Sequence, residues 1–269
     1  MLSGLAPARR RLVLALLAVV LVAAAAAVAL VVTGRRAAHE VRPVAQEVPG
    51  PVLLVPGYGG GQGALRSLAS VLTAQGRDAT IIAVPGDGTG DLAATAHALG
   101  DAVDAALERT GATTVDVVGY SAGGVVARLW VAVDDNAARV RRVVTLGSPH
   151  HGTTLADLAG DLAPDQCPIG CTQLGTASDL LARLNAGDET PTGPTWVSIW
   201  SEDDRTVTPP DSARLDGALN IPVQSVCPGV EVSHGELPGD PSVQAIVLDE
   251  LGAGDPQPLT QADCARAAG

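Results

Sequence analysis

The sequence contains no phenylalanine and no lysine, and it has one methionine and five histidines among 269 residues. Without phenylalanine, the core of what we expect to be one large domain has to be built from Ala, Val, Leu and Ile. Without lysine, no glycine-rich segment can be the G-K-[ST] loop that binds nucleotide phosphates. A catalytic histidine, if there is one, has only five possible positions.

Positive charge is also scarce, because 17 Arg stand against 29 acidic residues and the net charge is −12. Several of these Arg lie at or before residue 36, ahead of every acidic residue, so the rest of the chain is still more acidic. Such a surface repels nucleic acid and anionic lipid headgroups. We therefore expect no nucleic-acid partner and an uncharged substrate; a role of the charge in solubility alone is the alternative interpretation.

The amino terminus has the organisation of an export segment. Arg residues at 9–11 precede an uncharged stretch over 12–32, which is long enough to cross a bilayer as a helix. A signal peptide cleaved after an A-x-A site at 25–27 and an uncleaved signal anchor over 1–36 both fit this pattern. The apolar run continues beyond the A-x-A site, which favours the anchor. In either case the amino terminus stays inside and the domain lies outside.

The four cysteines fit an exported protein. Cys167 and Cys171 lie close together in a loop that contains Pro and Gly, which leaves Cys227 and Cys264 for a second bridge. Sequence alone permits three pairings. We expect 167–171 and 227–264, because the chain already holds the first pair together. A C-x3-C metal site is the alternative, but no histidine lies near it in sequence, and we expect no metal.

Residues 37–50 contain Pro and lack apolar periodicity, so we interpret them as a tether to a domain over 51–269. In this domain apolar runs alternate with segments of helical periodicity, which indicates a parallel sheet with crossover helices. The predicted strands are 52–55, 79–84, 115–118, 140–146, 196–200 and 222–226. The predicted helices are 64–74, 92–110, 123–133, a short one near 177–184, and 243–251.

The clearest chemical signal is the segment Gly119-Tyr120-Ser121-Ala122-Gly123. It matches G-x-S-x-G between a predicted strand and a predicted helix, the context that this motif requires. A serine hydroxyl becomes a nucleophile when it is exposed and paired with a base, and a sharp turn with small neighbours provides the exposure. The sequence therefore predicts Ser121 as nucleophile, with the N–H of Ala122 as one oxyanion donor.

The base should be His234. In the fold that carries this motif the partners follow the order Ser, acid, His along the chain. His39 lies in the tether and His97 in a long helix. His150 and His151 precede every plausible acid, so we interpret them as pocket-wall or capping residues.

The acid should follow the penultimate predicted strand, where Glu202, Asp203 and Asp204 are adjacent. Asp204 is favoured because the loop turns away directly after it. The other two acids are expected to be solvated.

Together these segments resemble the bacterial lipase/esterase group of the α/β-hydrolase superfamily, especially the small, nearly lidless secreted lipases, over most of 51–251. The matching segments are 51–60, 115–124, 143–149, 201–207, 215–218 and 233–234. The first segment usually reads H-G-x-G; Pro56 replaces the His here, which leaves Tyr58 as the matching oxyanion donor. Asp204 matches the triad acid of the family. The resemblance implies an α/β-hydrolase fold with a mostly parallel central sheet and helices on both faces.

The resemblance also implies acyl transfer from a small-molecule or lipid ester, by a monomer and without a cofactor. His234 takes the proton of Ser121, the N–H groups of Tyr58 and Ala122 hold the oxyanion, and Asp204 orients His234. A thioesterase, a polyesterase and an acyltransferase on the same scaffold are alternatives. A catalytically silent binding protein at the cell surface is an alternative from another class.

The connection over 148–195 is far longer than an ordinary loop and longer than its counterpart in the compact lipases. Long segments beside an active site usually form a wall or lid. We therefore expect a small cap and a substrate pocket that includes Gly57, His150, Leu180 and Leu181. Such a cap should favour short to medium acyl chains; a surface decoration is the alternative.

Overall fold

The structure, a computed structural model, describes residues 42–267. The predicted signal segment over 1–36 and the first part of the predicted tether lie outside this range. Among the residues that are described, none of the helices is long and apolar enough to cross a membrane.

A parallel six-stranded sheet forms the centre of the domain. Its strands are β1 Val52–Val55, β2 Ala79–Ile81, β3 Val115–Tyr120, β4 Val140–Leu146, β5 Thr195–Trp200 and β6 Leu219–Pro222. They are arranged in the order β2-β1-β3-β4-β5-β6, and each neighbouring pair is parallel. In such a sheet all carboxyl ends lie at one edge, so the loops that follow β1, β3, β4 and β5 meet there.

Helices cover both faces of the sheet, as predicted. They are α1 Gly63–Ala74, α2 Leu92–Thr110, α3 Ala122–Val131, α4 Thr154–Leu162, α5 Ile169–Thr172, α6 Asp179–Leu184, α7 Val223–Val226, α8 Pro241–Glu250 and α9 Gln261–Ala267. Helices α1 and α8 pack against one face, where Leu54, Val118 and Val144 belong to the buried core. Alternate residues of the same strands point to the other face, which α2 and α3 cover.

Three elements differ from the prediction. The second strand was placed at 79–84, but β2 ends at Ile81. The last strand was placed at 222–226, but β6 ends at Pro222 and Val223–Val226 is a turn of helix. Pro222 has no N–H and ends the ladder on this edge strand. The connection over 148–195 contains three α-helices, α4 to α6, and a short 3-10 helix, where one helix near 177–184 was expected.

Two buried arginines at the start of β4 hold the amino-terminal edge of the sheet. Arg141 binds the carboxylate of Asp116 through two hydrogen bonds of 2.8 and 2.7 Å. Gln46 donates to the carbonyl oxygen of Arg141 at 2.9 Å and accepts from Arg142 at 2.9 Å. Arg141 also donates to the carbonyl oxygen of Leu251. Part of the predicted tether, 42–50, is thus bound to the domain, because these buried cations need fixed partners.

The predicted disulfide pairing is confirmed. Cys167 is bonded to Cys171 and Cys227 to Cys264. The first bridge connects the chain just before α5 to Cys171 within that helix. The second connects the end of α7 to α9, so that the last helix is fastened to the domain.

Candidate active site

Ser121 stands in the turn between β3 and α3. Its φ is 54°, and it is the only non-glycine residue in 42–267 with a positive φ. This conformation costs free energy in a residue with a side chain, so its surroundings have to hold it in place. The N–H of Ser121 donates to the carbonyl oxygen of Leu146 at the end of β4, at 2.8 Å.

The small residues of the motif are required by close packing on both sides of this turn. A Cβ on Gly119 would lie 2.5 Å from the Cα of Gly124, and one on Gly123 would lie 2.2 Å from the carbonyl oxygen of Val55. Both distances are far below a van der Waals contact. The spacing G-x-S-x-G therefore follows from how closely α3 approaches β1 and β3.

Three side chains form a connected series at the carboxyl edge of the sheet. The Oγ of Ser121 lies 3.0 Å from Nε2 of His234, and Nδ1 of His234 lies 2.6 Å from Oδ2 of Asp204. A carboxylate only accepts, so Nδ1 carries the ring proton and Nε2 accepts the hydroxyl proton of Ser121. All three side chains are buried, and Ser121 also borders a groove.

Asp204 is the acid that reaches the histidine. Its second oxygen, Oδ1, accepts the backbone N–H groups of Thr206 and Val207 at 2.8 and 2.9 Å, which fixes the carboxylate. The neighbouring Asp203 instead accepts from the side chain of Gln224 at 3.0 Å. Glu202 is exposed to solvent.

Tyr120, the residue before the serine, contacts His234 in a way that sequence reasoning did not foresee. Its hydroxyl donates to the carbonyl oxygen of His234 at 3.1 Å, and the two ring centroids are 5.2 Å apart. Burial, and then the charge of Asp204, raise the pKa of Tyr120 to about 12, so that its hydroxyl stays protonated.

Gly147 is a second residue that sequence reasoning missed. It follows β4 with a φ of 54°, and a Cβ there would lie 2.5 Å from Leu237 and 3.2 Å from Oδ2 of Asp204. The backbone of this residue therefore takes up space beside the acid and the histidine that a side chain would block. The only sequence signal was the glycine between a predicted strand and Ser148-Pro149.

The loop after β1 lies beside the serine, as predicted for an oxyanion hole. A Cβ on Gly57 would lie 3.0 Å from the Cβ of Ser121, so the backbone of this loop approaches the serine closely. The N–H of Gly59 donates to Gly88 and thereby holds the loop after Tyr58. On the other side Ala122 is the first residue of α3, where backbone N–H groups have no partner within the helix.

A groove of about 250 Å³ opens from Ser121. Tyr58 lies at one side of it, and the polar groups on its walls include Thr153, Gln166 and Thr206. The apolar residues on its walls are Pro149, Leu155, Ala156, Ala159, Cys171, Leu174 and Val207. Most of this surface comes from the segment over 148–195, so this segment does reach the site.

Leu180 and Leu181, however, do not line this groove, so the prediction for these two residues was wrong. Leu180 lines a separate cavity with Leu129 of α3, and Leu181 is buried in α6. Helix α6 is held there by Arg128 of α3, which donates to the carbonyl oxygen of Leu184 at 3.1 Å. The apolar helix that borders the groove is α4.

His150 is also absent from the groove walls, contrary to the prediction, because it is completely buried behind them. Its Nε2 lies 3.2 Å from Oγ1 of Thr145, whose own hydroxyl donates to Ser198. Nε2 therefore carries the proton. Burial, and then the charge of Arg128, lower the pKa of His150 well below its usual value, so the ring is neutral.

The other two described histidines lie elsewhere. His151 pairs with Glu189 at 2.9 Å, and His97 is exposed on α2. His39 lies outside the described residues. Among the described histidines, His234 alone is in contact with Ser121.

Comparisons with known proteins agree with this architecture. Residues 50–167 match the family model described as the alpha/beta hydrolase fold. Lipase B of Aspergillus fumigatus superposes with a TM-score of 0.66 at 20% identity, over 81% of this chain and 57% of that one. The mature form of the Bacillus licheniformis lipase BlEst2 gives a TM-score of 0.55 at 22% identity, over 66% of this chain and 84% of that one.

The propeptide form of BlEst2 gives a TM-score of 0.63 at 19% identity, over 81% of this chain. The protein spans 57% of the length of the fungal lipase and 55% of the propeptide form. These identities are low, so the likeness concerns the fold. The resemblance predicted from the sequence is confirmed at this level: the protein has the α/β-hydrolase fold, and bacterial and fungal lipases are among its structural neighbours.

Proposed function

We propose that the protein is a serine hydrolase that cleaves uncharged carboxylic esters through an acyl-enzyme intermediate. The observation that carries this proposal is the series of short contacts from Ser121 through His234 to Asp204. A hydroxyl, an imidazole and a carboxylate in this order form the arrangement that activates a serine nucleophile.

In the first half of the reaction, Nε2 of His234 accepts the hydroxyl proton while Oγ of Ser121 bonds to the ester carbonyl carbon. The carbonyl oxygen becomes an oxyanion, for which the N–H groups of Tyr58 and Ala122 are the proposed donors. Asp204 stabilises the charged imidazolium. His234 then returns the proton to the leaving alcohol, and an acyl-enzyme remains on Ser121.

In the second half, a water molecule takes the place of the alcohol. His234 accepts a proton from this water, the hydroxide oxygen bonds to the acyl carbon, and the carboxylic acid leaves as Ser121 regains its proton. The chain's own residues perform every proton transfer in this scheme.

An ester of low polarity is the substrate class that the site supports best. The groove beside Ser121 is walled mainly by apolar side chains, and the chain as a whole is acidic. A negatively charged substrate would be repelled by this surface. The lipases among the structural neighbours fit the same substrate class.

We also propose that the domain acts outside the cytoplasm, fastened by the apolar segment over 12–32 or released from it. Two disulfides support an oxidising compartment.

Labelling with a fluorophosphonate and hydrolysis of p-nitrophenyl acetate test the proposal together. We expect the wild-type protein to be labelled at Ser121 and to release p-nitrophenol. Ser121→Ala should abolish both, with a loss on the order of 10⁶-fold in turnover. A folded Ser121→Ala protein with near-normal hydrolysis would contradict the proposal, as would a wild-type protein that neither reacts with the label nor cleaves any ester.

A further inference from the structure

We infer that the groove beside Ser121 holds the acyl chain of the ester, and that Ala156 and Ala159 of α4 determine the longest chain that fits. This inference rests on the proposed ester hydrolysis. It adds the part of the substrate that is recognised and the residues that recognise it.

The position of His234 indicates which part of the ester enters the groove. The leaving oxygen has to lie within hydrogen-bond reach of Nε2 of His234, because this atom protonates it. The groove opens at Ser121 and Tyr58, and His234 is not on its walls. The alcohol therefore departs on the side of His234. The acyl chain, which stays bonded to Ser121, occupies the groove.

Helix α4 is a fixed wall of this groove because its start is joined to the loop that carries Asp204. The hydroxyl of Thr153 donates to the carbonyl oxygen of Thr206 at 2.7 Å and accepts the N–H of Thr208 at 3.0 Å. The N–H of Thr154 donates to the carbonyl oxygen of Thr208 at 2.9 Å. These hydrogen bonds fix the position of the start of α4 relative to Asp204.

A second set of contacts holds the middle of α4. The carboxylate of Asp157 accepts the N–H and the hydroxyl of Thr176, at 2.9 and 2.7 Å. The segment before Thr176 is in turn bound to the domain, since Gly170 donates to the carbonyl oxygen of Thr89 and Gln173 accepts the N–H of Leu92 at 2.9 Å. Because α4 is held at its start and in its middle, the side chains that it presents to the groove determine the size of the substrate that fits.

The size of the groove suits a short to medium chain. Its volume of about 250 Å³ is below the range of about 300–1,000 Å³ that is usual for pockets that hold drug-sized ligands. Ala156 and Ala159 are three positions apart and therefore lie on one side of α4, facing the groove. A larger side chain at either position would reduce the space in the groove, and the longest acyl chains would be excluded first.

Substitution of these alanines tests the inference. Ala156→Leu and Ala159→Leu narrow the groove, and Leu155→Ala widens it. Ala182→Leu is the matched control, because Ala182 is exposed on α6 of the same segment and does not line the groove. Each variant is measured on p-nitrophenyl esters from acetate to palmitate, and on acetate esters of alcohols of increasing length.

We expect Ala156→Leu and Ala159→Leu to lower the ratio of kcat/KM for octanoate to that for acetate tenfold or more, because each adds three carbon atoms to the wall and a single methylene is already worth about tenfold. Leu155→Ala should shift the preferred acyl chain to a greater length, and Ala182→Leu should change neither ratio. The preference among alcohols should stay the same in all variants.

A uniform loss across the acyl panel, or a change in the alcohol panel instead, would overturn the inference. If the alanine variants fail to fold, an unchanged profile in Leu155→Ala would overturn it as well. Failure of the proposed function is a separate outcome, because the wild-type protein would then cleave no ester of either panel and would not react with a fluorophosphonate.

Discussion

The hydroxyl of Tyr120 donates a hydrogen bond of 3.1 Å to the carbonyl oxygen of His234 and so joins the turn that carries Ser121 to the loop that carries His234. Tyr120→Phe removes this bond and retains the ring that packs on His234. We expect a loss of about 1 kcal/mol in the free energy of unfolding and a decrease in kcat of several-fold. Tyr120→Leu, which also removes the ring, should lower kcat further. Equal activity of all three proteins would show that Tyr120 does not position His234.

The two neighbouring aspartates should differ sharply in their effect on turnover. Asp204→Asn retains the shape of the side chain but removes the acceptor that keeps the proton on Nδ1 of His234, so we expect kcat to fall on the order of 10⁴-fold. Asp203→Asn is the control, because its partner is Gln224 and a neutral amide can still accept that bond. The reverse order, measured with p-nitrophenyl acetate, would make Asp203 the acid.

Gly147→Ala should impair both folding and turnover. The new Cβ would meet Leu237 and crowd Asp204, in addition to the cost of a positive φ. Gly76→Ala is the matched control, since Gly76 has a φ of 78° and open space around its missing side chain. We expect about 1–2 kcal/mol of destabilisation from the backbone term alone in Gly76→Ala, and more in Gly147→Ala. Denaturant unfolding measures the free energy of unfolding of both variants. Similar losses in the two variants would mean that the residues around Gly147 shift to make room for the new Cβ.

Glu250 should make stability depend on pH. Its carboxyl group is buried, one oxygen has no hydrogen-bond partner among the described residues, and burial raises its pKa from 4.5 to about 7. Between about pH 4.5 and pH 7 the folded protein keeps a proton that the unfolded chain releases. The contribution of Glu250 to the free energy of unfolding is therefore complete below about pH 4.5 and is lost as the pH rises through about 7.

Glu250→Gln removes this dependence. We expect the variant to match the wild-type protein near pH 4.5 and to exceed its free energy of unfolding at pH 8 by on the order of 3 kcal/mol. Urea unfolding at several pH values between these limits gives the comparison. A difference that is constant over the whole range would mean that the pKa of Glu250 is the same in the folded and the unfolded protein.

Much of the site could be predicted because its signals are local. The turn at Ser121 requires a strand, small residues and a helix within one short segment, and all three are visible in the sequence. The order of the partners along the chain then selected His234, which lies 3.0 Å from Ser121 in the structure. Asp204 was a choice among three neighbours, and only the fold shows which carboxylate faces the ring.

The residues that were missed depend on contacts between distant parts of the chain. Helices α4 and α6 both carry leucines at helical spacing, so the sequence could not tell which of them borders Ser121. The choice is made by Arg128, which holds α6 on α3, and by Thr153, which fastens α4 to the loop of Asp204. Tyr120 and Gly147 likewise acquire their roles from the approach of β3 and β4 to the loop of His234.

The buried arginines of β4 affect how a change in the rate of this protein has to be interpreted. Arg141 and Arg142 stand at the edge of the sheet opposite to Ser121, yet they connect Gln46 and Leu251 to the same strand that ends at the active site. Substitutions at this edge should lower the fraction of molecules that are folded without changing the kcat of each folded molecule. The total rate of a preparation then reports the surviving fraction, and a titration of reactive serines is needed before any loss of rate is attributed to chemistry.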